Sequence, residues 1–182
     1  MRSFGLSGQI VCAKRSPQKM TSIQIREAKS ADAASISTLM EELGYDLNPR
    51  EAEARIEVYL KSSDTVLVAD DCEEIVGFVS FHVIPLFHAS SNLGRITAMC
   101  ISSNRQREGI GRMLLNRLDE MAQRSGCVRI EVTSGDRRAG DAHLFYQACG
   151  YNIDSRRFQK MLNQGEQDAG RQDLTRRESK AP

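Results

Sequence analysis

The densest chemistry in the chain lies between Met99 and Arg112, which reads M-C-I-S-S-N-R-Q-R-E-G-I-G-R. An apolar run suited to a strand enters a loop carrying Arg105, Gln106 and Arg107. Gly109 and Gly111 then open a helix whose apolar side is Ile110, Met113, Leu114, Leu118 and Met121. The first N–H groups of a helix have no partners within it and together carry about half a positive charge. With no side chains at 109 and 111, a phosphate can approach this backbone closely, and Arg105, Arg107 and Arg112 add charge around it. The segment is a candidate pyrophosphate cradle. A dinucleotide fingerprint would need a third glycine where Leu114 stands, and a Walker loop would need G-K-[ST] where Gly111 is followed by Arg112 and Met113. The same glycines also suit close helix packing, and G-x-G alone does not separate the two uses.

Other reactive side chains are scattered. His82 and His88 flank Pro85 at a strand end and loop, where they could line a pocket or bind a metal; further ligands at metal spacing are missing, so no metal is expected. His143 lies one helical turn before Gln147 and could hold a water or an acceptor group, or serve packing. Arg137 and Arg138, beside Gly135 and Gly140, could meet an anion or be solvated loop charges. Cys12, Cys72, Cys100, Cys127 and Cys149 are odd in number and never paired as C-x-x-C, so they read as small hydrophobes in a reducing compartment, by default the cytoplasm.

These groups need a scaffold, and the hydrophobic periodicity predicts one. Ser22 to Glu27 alternates as a strand. Ser30 can cap the next helix, with Asp32 in its first turn and Ile36, Leu39, Met40 and Leu43 on its apolar face. Asn48-Pro49-Arg50-Glu51 is a second helix start, and Glu51–Arg55 and Glu57–Lys61 are i,i+4 pairs. Thr65 to Ala69 is a strand; Ile75 to Ile84 and Arg95 to Ile101 form a hairpin; the long helix follows. Val128 to Thr133 is a further strand, Asp141 caps a short helix ended by Gly150, and Ile153 to Met161 is the last strand. The order β-α-α-β-β-β-α-β-α-β implies a mixed α/β domain rather than a regular doubly wound one.

The 182 residues suit one domain. Residues 1–20, with Arg2, Lys14, Arg15, Lys19 and no acid before Glu27, read as an extension outside the fold; residues 163–182 read as a disordered polar tail. That leaves 21–162 as the domain. A net charge of +1 and 5% aromatic residues argue against a nucleic-acid surface, and no apolar run reaches the ~20 residues of a membrane span.

Gln106-Arg107-Glu108-Gly109-Ile110-Gly111 resembles the Q/R-x-x-G-x-G/A acetyl-CoA signature of the GNAT superfamily, and it stands between a central strand and the long helix as it does there. Ala142-His143-Leu144-Phe145-Tyr146 with Gly150-Tyr151 is similar to the family's A-x-x-F/L-Y-x-x-x-G-F/Y ending. The resemblance covers roughly 23–162. It implies a GNAT-type fold, a mostly antiparallel mixed sheet flanked by helices, and an acetyl-CoA-dependent N-acetyltransferase. Asp-Ala-His-x-Phe-Tyr after V-T-S-G-D-R-R is similar to a small-molecule branch that includes aminoalkylphosphonate acetyltransferases. By position, Met99, Cys100 and Ile101 match the strand along the pantetheine arm. An N–H of Cys100 or Ile101 would face the thioester carbonyl. Gln106, Arg107, Glu108, Gly109, Ile110, Gly111 and Arg112 match the pyrophosphate loop, and Tyr146 the tyrosine that acts as general acid at the sulfur. A homodimer is possible by the same analogy.

Amide formation also asks for a deprotonated amine. At pKa ~10.4 a primary amine is neutral in only about one molecule in 10³ at pH 7, so a base is useful. Many relatives place a carboxylate on the strand before the glycine loop, where this chain has Arg95, Thr97 and Ala98. Glu131 or a chain of waters could serve instead. Glu42, Tyr45 and Asp46 could face a cationic acceptor. The expected function is therefore transfer of an acetyl group to a primary amine of a small molecule. A protein amine as acceptor, or a non-catalytic acyl-CoA sensor, are the alternatives.

Overall fold

The computed structural model describes residues 23–72, 74–134, 141–154 and 156–162. The expected extension and tail, the Arg137–Arg138 pair with its glycines, and the Asp141 side chain lie outside these residues.

Strand β1 (Gln24–Glu27) leads through a 3-10 turn, Ser30–Asp32, into helix α1 (Ala33–Glu42). The cap expected of Ser30 is made by Asp32, whose Oδ2 accepts the Lys29 N–H at 2.7 Å. The reason is Arg26, which donates from Nη1 and Nη2 to both Asp32 oxygens at 2.7 and 2.9 Å and from Nε to Asp70 Oδ2 at 2.8 Å. A carboxylate can accept the guanidinium fork and the N–H together, which one hydroxyl cannot. On α1, Ile36 and Leu39 are buried, with Met40 and Leu43 packed beside them. Helix α2 (Pro49–Leu60) starts as expected: Asn48 Oδ1 accepts the Glu51 N–H at 3.0 Å, and Glu51 Oε2 accepts the Asn48 N–H at 3.2 Å. Glu51 is thereby engaged with the cap and makes no ion pair with Arg55 among the described residues, whereas Glu57 and Lys61 approach to 3.7 Å.

Strands β2 (Thr65–Asp71), β3 (Glu74–Pro85), β4 (Asn92–Ile101) and β5 (Cys127–Val132) complete a sheet of order β1-β2-β3-β4-β5. Neighbours are antiparallel except β4 and β5, which are parallel because helix α3 (Ile110–Arg124) crosses between them. Helices α1 and α2 pack on one face with Val68, Phe78 and Cys100. Helix α3 and the last helix, α4 (Asp141–Ala148), pack on the other with Leu67, Val79, Phe81 and Ile96. This is the mixed, mostly antiparallel α/β architecture that the periodicity predicts.

The expected strand at Ile153–Met161 does not form among the described residues, and Ile153, Phe158 and Met161 are exposed. Helix α4 closes with Gly150 left-handed at φ +91° and the Tyr151 N–H bonded to the Tyr146 carbonyl at 3.0 Å. Beyond this turn Ile153 and Met161 fall on one side of the alternation with Arg157, and Phe158 on the other with Arg156 and Lys160, so neither side offers a continuous apolar stripe to bury against β5.

Burial works against the Asp32 charge, but the Arg26 guanidinium and the Lys29 N–H outweigh it and hold the carboxyl below its ordinary value. A depressed carboxyl stabilises the fold above its unfolded pKa of ~3.9, and that contribution is lost as the pH falls through the folded value. Arg26→Ala is expected to lower the unfolding free energy by about 2–3 kcal/mol at pH 7, measured by urea denaturation. The deficit against the parent protein should narrow below about pH 4 as Asp32 protonates.

Candidate active site at the divergence of two parallel strands

Strands β4 and β5 pair from Asn92 to Ile96, with one register step after Asn92; Ile96 meets Val132, and the described residues share no register pairs beyond it. On the other side of β4 the pairing with β3 steps from Ile96↔Phe81 to Ala98↔Ser80, so Thr97 is one residue too many. A bulge of this kind bends its strand and increases its twist. The buried Ser80 hydroxyl fills the gap: Oγ accepts the Ala98 N–H at 2.9 Å and lies 2.9 Å from Thr97 Oγ1. The bulge thus falls where β4 parts from β5, and Met99, Cys100 and Ile101 continue beyond the parting.

Past Ile101 the chain turns through a 3-10 segment, Ser103–Arg105, and reaches Gly109 at φ +85°, the N-cap of α3. Arg107 is also left-handed, at φ +67°. The first intrahelical bond is from the Met113 N–H to the Gly109 carbonyl at 3.1 Å, so the N–H groups of Ile110, Gly111 and Arg112 precede it at the positive end of the helix dipole. The two glycines serve different ends. A Cβ on Gly109 would meet nothing within 4 Å, and glycine is needed there for the left-handed turn. A Cβ on Gly111 would stand 2.9 Å from Phe145 Cζ and 3.4 Å from Met99 Cε, so that glycine lets α3 approach α4 and β4.

The arginines divide likewise. Arg105, expected to face a phosphate, turns inward: Nη1 donates to Asp71 Oδ2 at 3.0 Å and Nε to Glu108 Oε2 at 2.9 Å. Those bonds, Glu108 first, raise its pKa further. Arg107 and Arg112 are exposed, with Arg112 Nη2 donating to the Ala148 carbonyl at 3.1 Å. Gln106 folds back toward the Ile101 carbonyl at 3.4 Å, and Ile110 is core. Glu42, expected near an acceptor, instead pins the loop entrance: its oxygens accept from Ser102 Oγ at 3.1 Å and the Ser103 N–H at 2.8 Å.

Tyr146 on α4 reaches the parting strands. Its hydroxyl donates to Met99 Sδ at 3.8 Å, and its ring packs edge-on between Phe145 and Tyr151 at centroid distances of 5.3 and 5.4 Å. The Tyr151 hydroxyl is buried without a partner among the described residues; burial, and then the charge of Asp119, push its pKa well above that of an ordinary tyrosine. Tyr151 therefore acts as a neutral prop for Tyr146.

The structure thus gathers Met99, Cys100, Ile101, the 106–112 loop and Tyr146 around one opening. Of the three candidate histidines, His88 is exposed on the loop after β3, whereas His82 on β3 and His143 on α4 are half-buried. Glu131 is occupied on both oxygens, by Arg95 Nη1 at 3.2 Å and Arg129 Nε at 2.8 Å. Ser80, Thr97 and the loop-pinning role of Glu42 escape sequence reasoning, because their partners are 17 to 61 residues away and no local pattern encodes them. An extended segment past the last β4–β5 pair, a helix N-terminus and a proton-bearing phenol together suit a ligand with an amide-containing arm and a pyrophosphate, which is the chemistry of coenzyme A.

Gly111→Ala is expected to cost about 1–3 kcal/mol by forcing Phe145 aside, read as a lowered Tm. Gly109→Ala has open space and meets only left-handed strain of about 1–2 kcal/mol. That strain too should be read as a lowered Tm.

Residues 62–153, just over half of the chain, match the family model described as an acetyltransferase (GNAT) domain. Among curated proteins none matches at a significant level. Similar solved structures include a GNAT family acetyltransferase from Staphylococcus aureus, at 24% identity and TM-score 0.66, covering 77% of this chain and 98% of that one. The glucosamine-6-phosphate N-acetyltransferase of Arabidopsis thaliana gives 17% identity and TM-score 0.66, covering 78% and 99%. An aminoglycoside N-acetyltransferase in complex with CoA gives 14% identity and TM-score 0.68, covering 77% and 94%. At these identities the structures speak for the fold, and the family model, falling across the parting strands, the glycine turn and Tyr146, shows that this chain belongs to the GNAT acetyltransferases.

Proposed function

We propose that the protein transfers the acetyl group of acetyl-CoA to a primary amine of a small molecule, with residues 21–162 as the acetyltransferase domain. The observation that carries this reading is the Tyr146 hydroxyl seated on Met99 Sδ where β4 leaves β5, in line with the open N-terminus of α3. Acetyl-CoA supplies the acyl group as a thioester, already activated toward an amine. The N–H groups of Ile110, Gly111 and Arg112, with the Arg107 guanidinium, bind its pyrophosphate. Met99, Cys100 and Ile101 lie along its pantetheine arm, and Glu108 and Gln106 shape the loop between. Tyr146 holds a phenolic proton for the departing sulfur. Two neighbouring structures bear names with small amine-bearing acceptors, glucosamine 6-phosphate and aminoglycosides, which supports a small molecule over a protein acceptor. The reading takes the reducing cytoplasm as the compartment, where Cys72, Cys100, Cys127 and Cys149, in no disulfide among the described residues, keep their thiols.

The test is release of free CoA thiol from acetyl-CoA across aminoglycosides, amino sugars, aminoalkylphosphonates, polyamines, amino acids and lysine peptides. Amine-dependent release is expected, and Tyr146→Phe should lower kcat by about 10²-fold while leaving acetyl-CoA affinity nearly unchanged. Binding of acetyl-CoA with no amine-dependent release would favour a sensor, and release only with peptides would favour a protein acceptor.

A further inference from the structure

The strand registers assemble a transverse polar row beside the parting of β4 and β5. Thr65 pairs with Phe81, which brings the preceding Asp64 alongside His82; His82 pairs with Arg95, and Arg95 pairs with Glu131. Arg95 directly precedes Ile96, the last β4 residue paired with β5, so the row borders the candidate active site. It lies on the face covered by α2, from which Tyr59 reaches down to it. Within the row Glu131 is held by two guanidinium groups, and Arg95 also bonds the Thr133 hydroxyl. A carboxylate so engaged is poorly placed to take a proton.

His82 is differently held. Its Nδ1 lies 2.9 Å from Asp64 Oδ2, and its Nε2 lies 2.7 Å from the Tyr59 hydroxyl. Asp64 is itself fixed, its Oδ1 accepting the Val83 N–H at 3.2 Å. A carboxylate only accepts, so His82 carries a proton on Nδ1; in the neutral ring Nε2 accepts and Tyr59 is the donor. Hydroxyl, imidazole and carboxylate stand in the order of roles that lets an imidazole draw a proton from a hydroxyl while an acid steadies the resulting cation. The charged and titratable groups facing His82 are Tyr59 from α2, Asp64 from the turn before β2 and Arg95 from β4, with Glu131 behind Arg95.

We infer that Tyr59, His82 and Asp64 form the proton acceptor for the incoming amine, an inference that rests on the acetyltransfer reading above. The ammonium N–H bond breaks and its proton passes to Tyr59 Oη, as the Tyr59 proton passes to His82 Nε2. The freed nitrogen lone pair attacks the acyl carbon as the carbonyl π pair moves onto oxygen; when that pair returns the C–S bond breaks, the thiolate takes the Tyr146 proton, the second nitrogen proton restores the Tyr146 phenol, and the imidazolium is balanced by Asp64. The proton then leaves to water; a cavity of about 160 Å³ lined by Tyr59, Ser62, Ser63 and Asp64 has room for several molecules. This relay takes the place of the carboxylate that Arg95 displaces on β4.

His82→Gln and Tyr59→Phe test the relay, using the amine of highest turnover in the panel above. At pH 7 either variant should lose about 10²-fold in kcat/KM for the amine, with acetyl-CoA affinity and Tm close to the parent values. The loss should shrink toward parity above the amine's own pKa, where the amine needs no base; a packing defect would give the same loss at every pH. In the substrate-free enzyme, ¹⁵N spectra should show His82 with its proton on Nδ1. Parent-like rates, a loss independent of pH, or the Nε2–H tautomer would each overturn the inference. Failure of the parent enzyme to bind acetyl-CoA would instead remove the acetyltransfer reading, and the relay with it.

Discussion

Thr97 has no register partner on β3, and the hydroxyl of Ser80 stands in for the missing main-chain group. A sheet can carry such an extra residue only by bending the strand that holds it, and the bend comes where β4 loses its parallel neighbour. The remainder of the site depends on that geometry. Had β4 and β5 stayed paired to Ile101, Met99 and its neighbours would face another strand, and Tyr146 would have no opening to reach into. Parallel strands tolerate the separation because α3, not a tight hairpin, connects them.

The loop that leads into α3 is held by charges engaged with protein partners. Arg105 lies between Asp71 and Glu108, and Glu42 ties Ser102 and Ser103 to the end of α1. These bonds set the direction of the loop before any anion arrives, so less ordering entropy is lost on binding. The charge that meets solvent is then carried by Arg107, Arg112 and the helix dipole. A net charge of +1 for the whole chain is compatible with a local anion site for this reason: the field comes from aligned backbone groups, and many of the arginines are neutralised by neighbouring acids.

Packing links the two ends of the site. Gly111 in the first turn of α3 admits Phe145, and Phe145 sits beside Tyr146, which in turn rests on Tyr151. The position of the phenol is therefore coupled to the absence of a side chain at Gly111 in the first turn of α3. On the opposite face of the sheet, α2 carries Tyr59 to His82.

Much of this was legible in local pattern. Asn48-Pro49-Arg50-Glu51 specifies a helix start because every partner lies within three residues, and the apolar repeat of Ile110, Leu114 and Leu118 specifies the buried side of α3. The hairpin of β3 and β4 and the glycine turn belong to the same class. The weak alternation after Gly150 misled, because period alone does not say whether a neighbouring strand has apolar surface to share. Sequence by itself thus determined the elements, their order and the glycine turn that opens α3, all of which rest on interactions a few residues long. Tertiary structure alone decided that Thr97 bulges, that Arg105 and Glu42 serve the loop, that Gly111 is a packing glycine, and that Tyr59, His82 and Asp64 meet. Each of these depends on strand register or on helix placement across the sheet, and distance in space between residues far apart in the chain is the quantity that local periodicity does not encode.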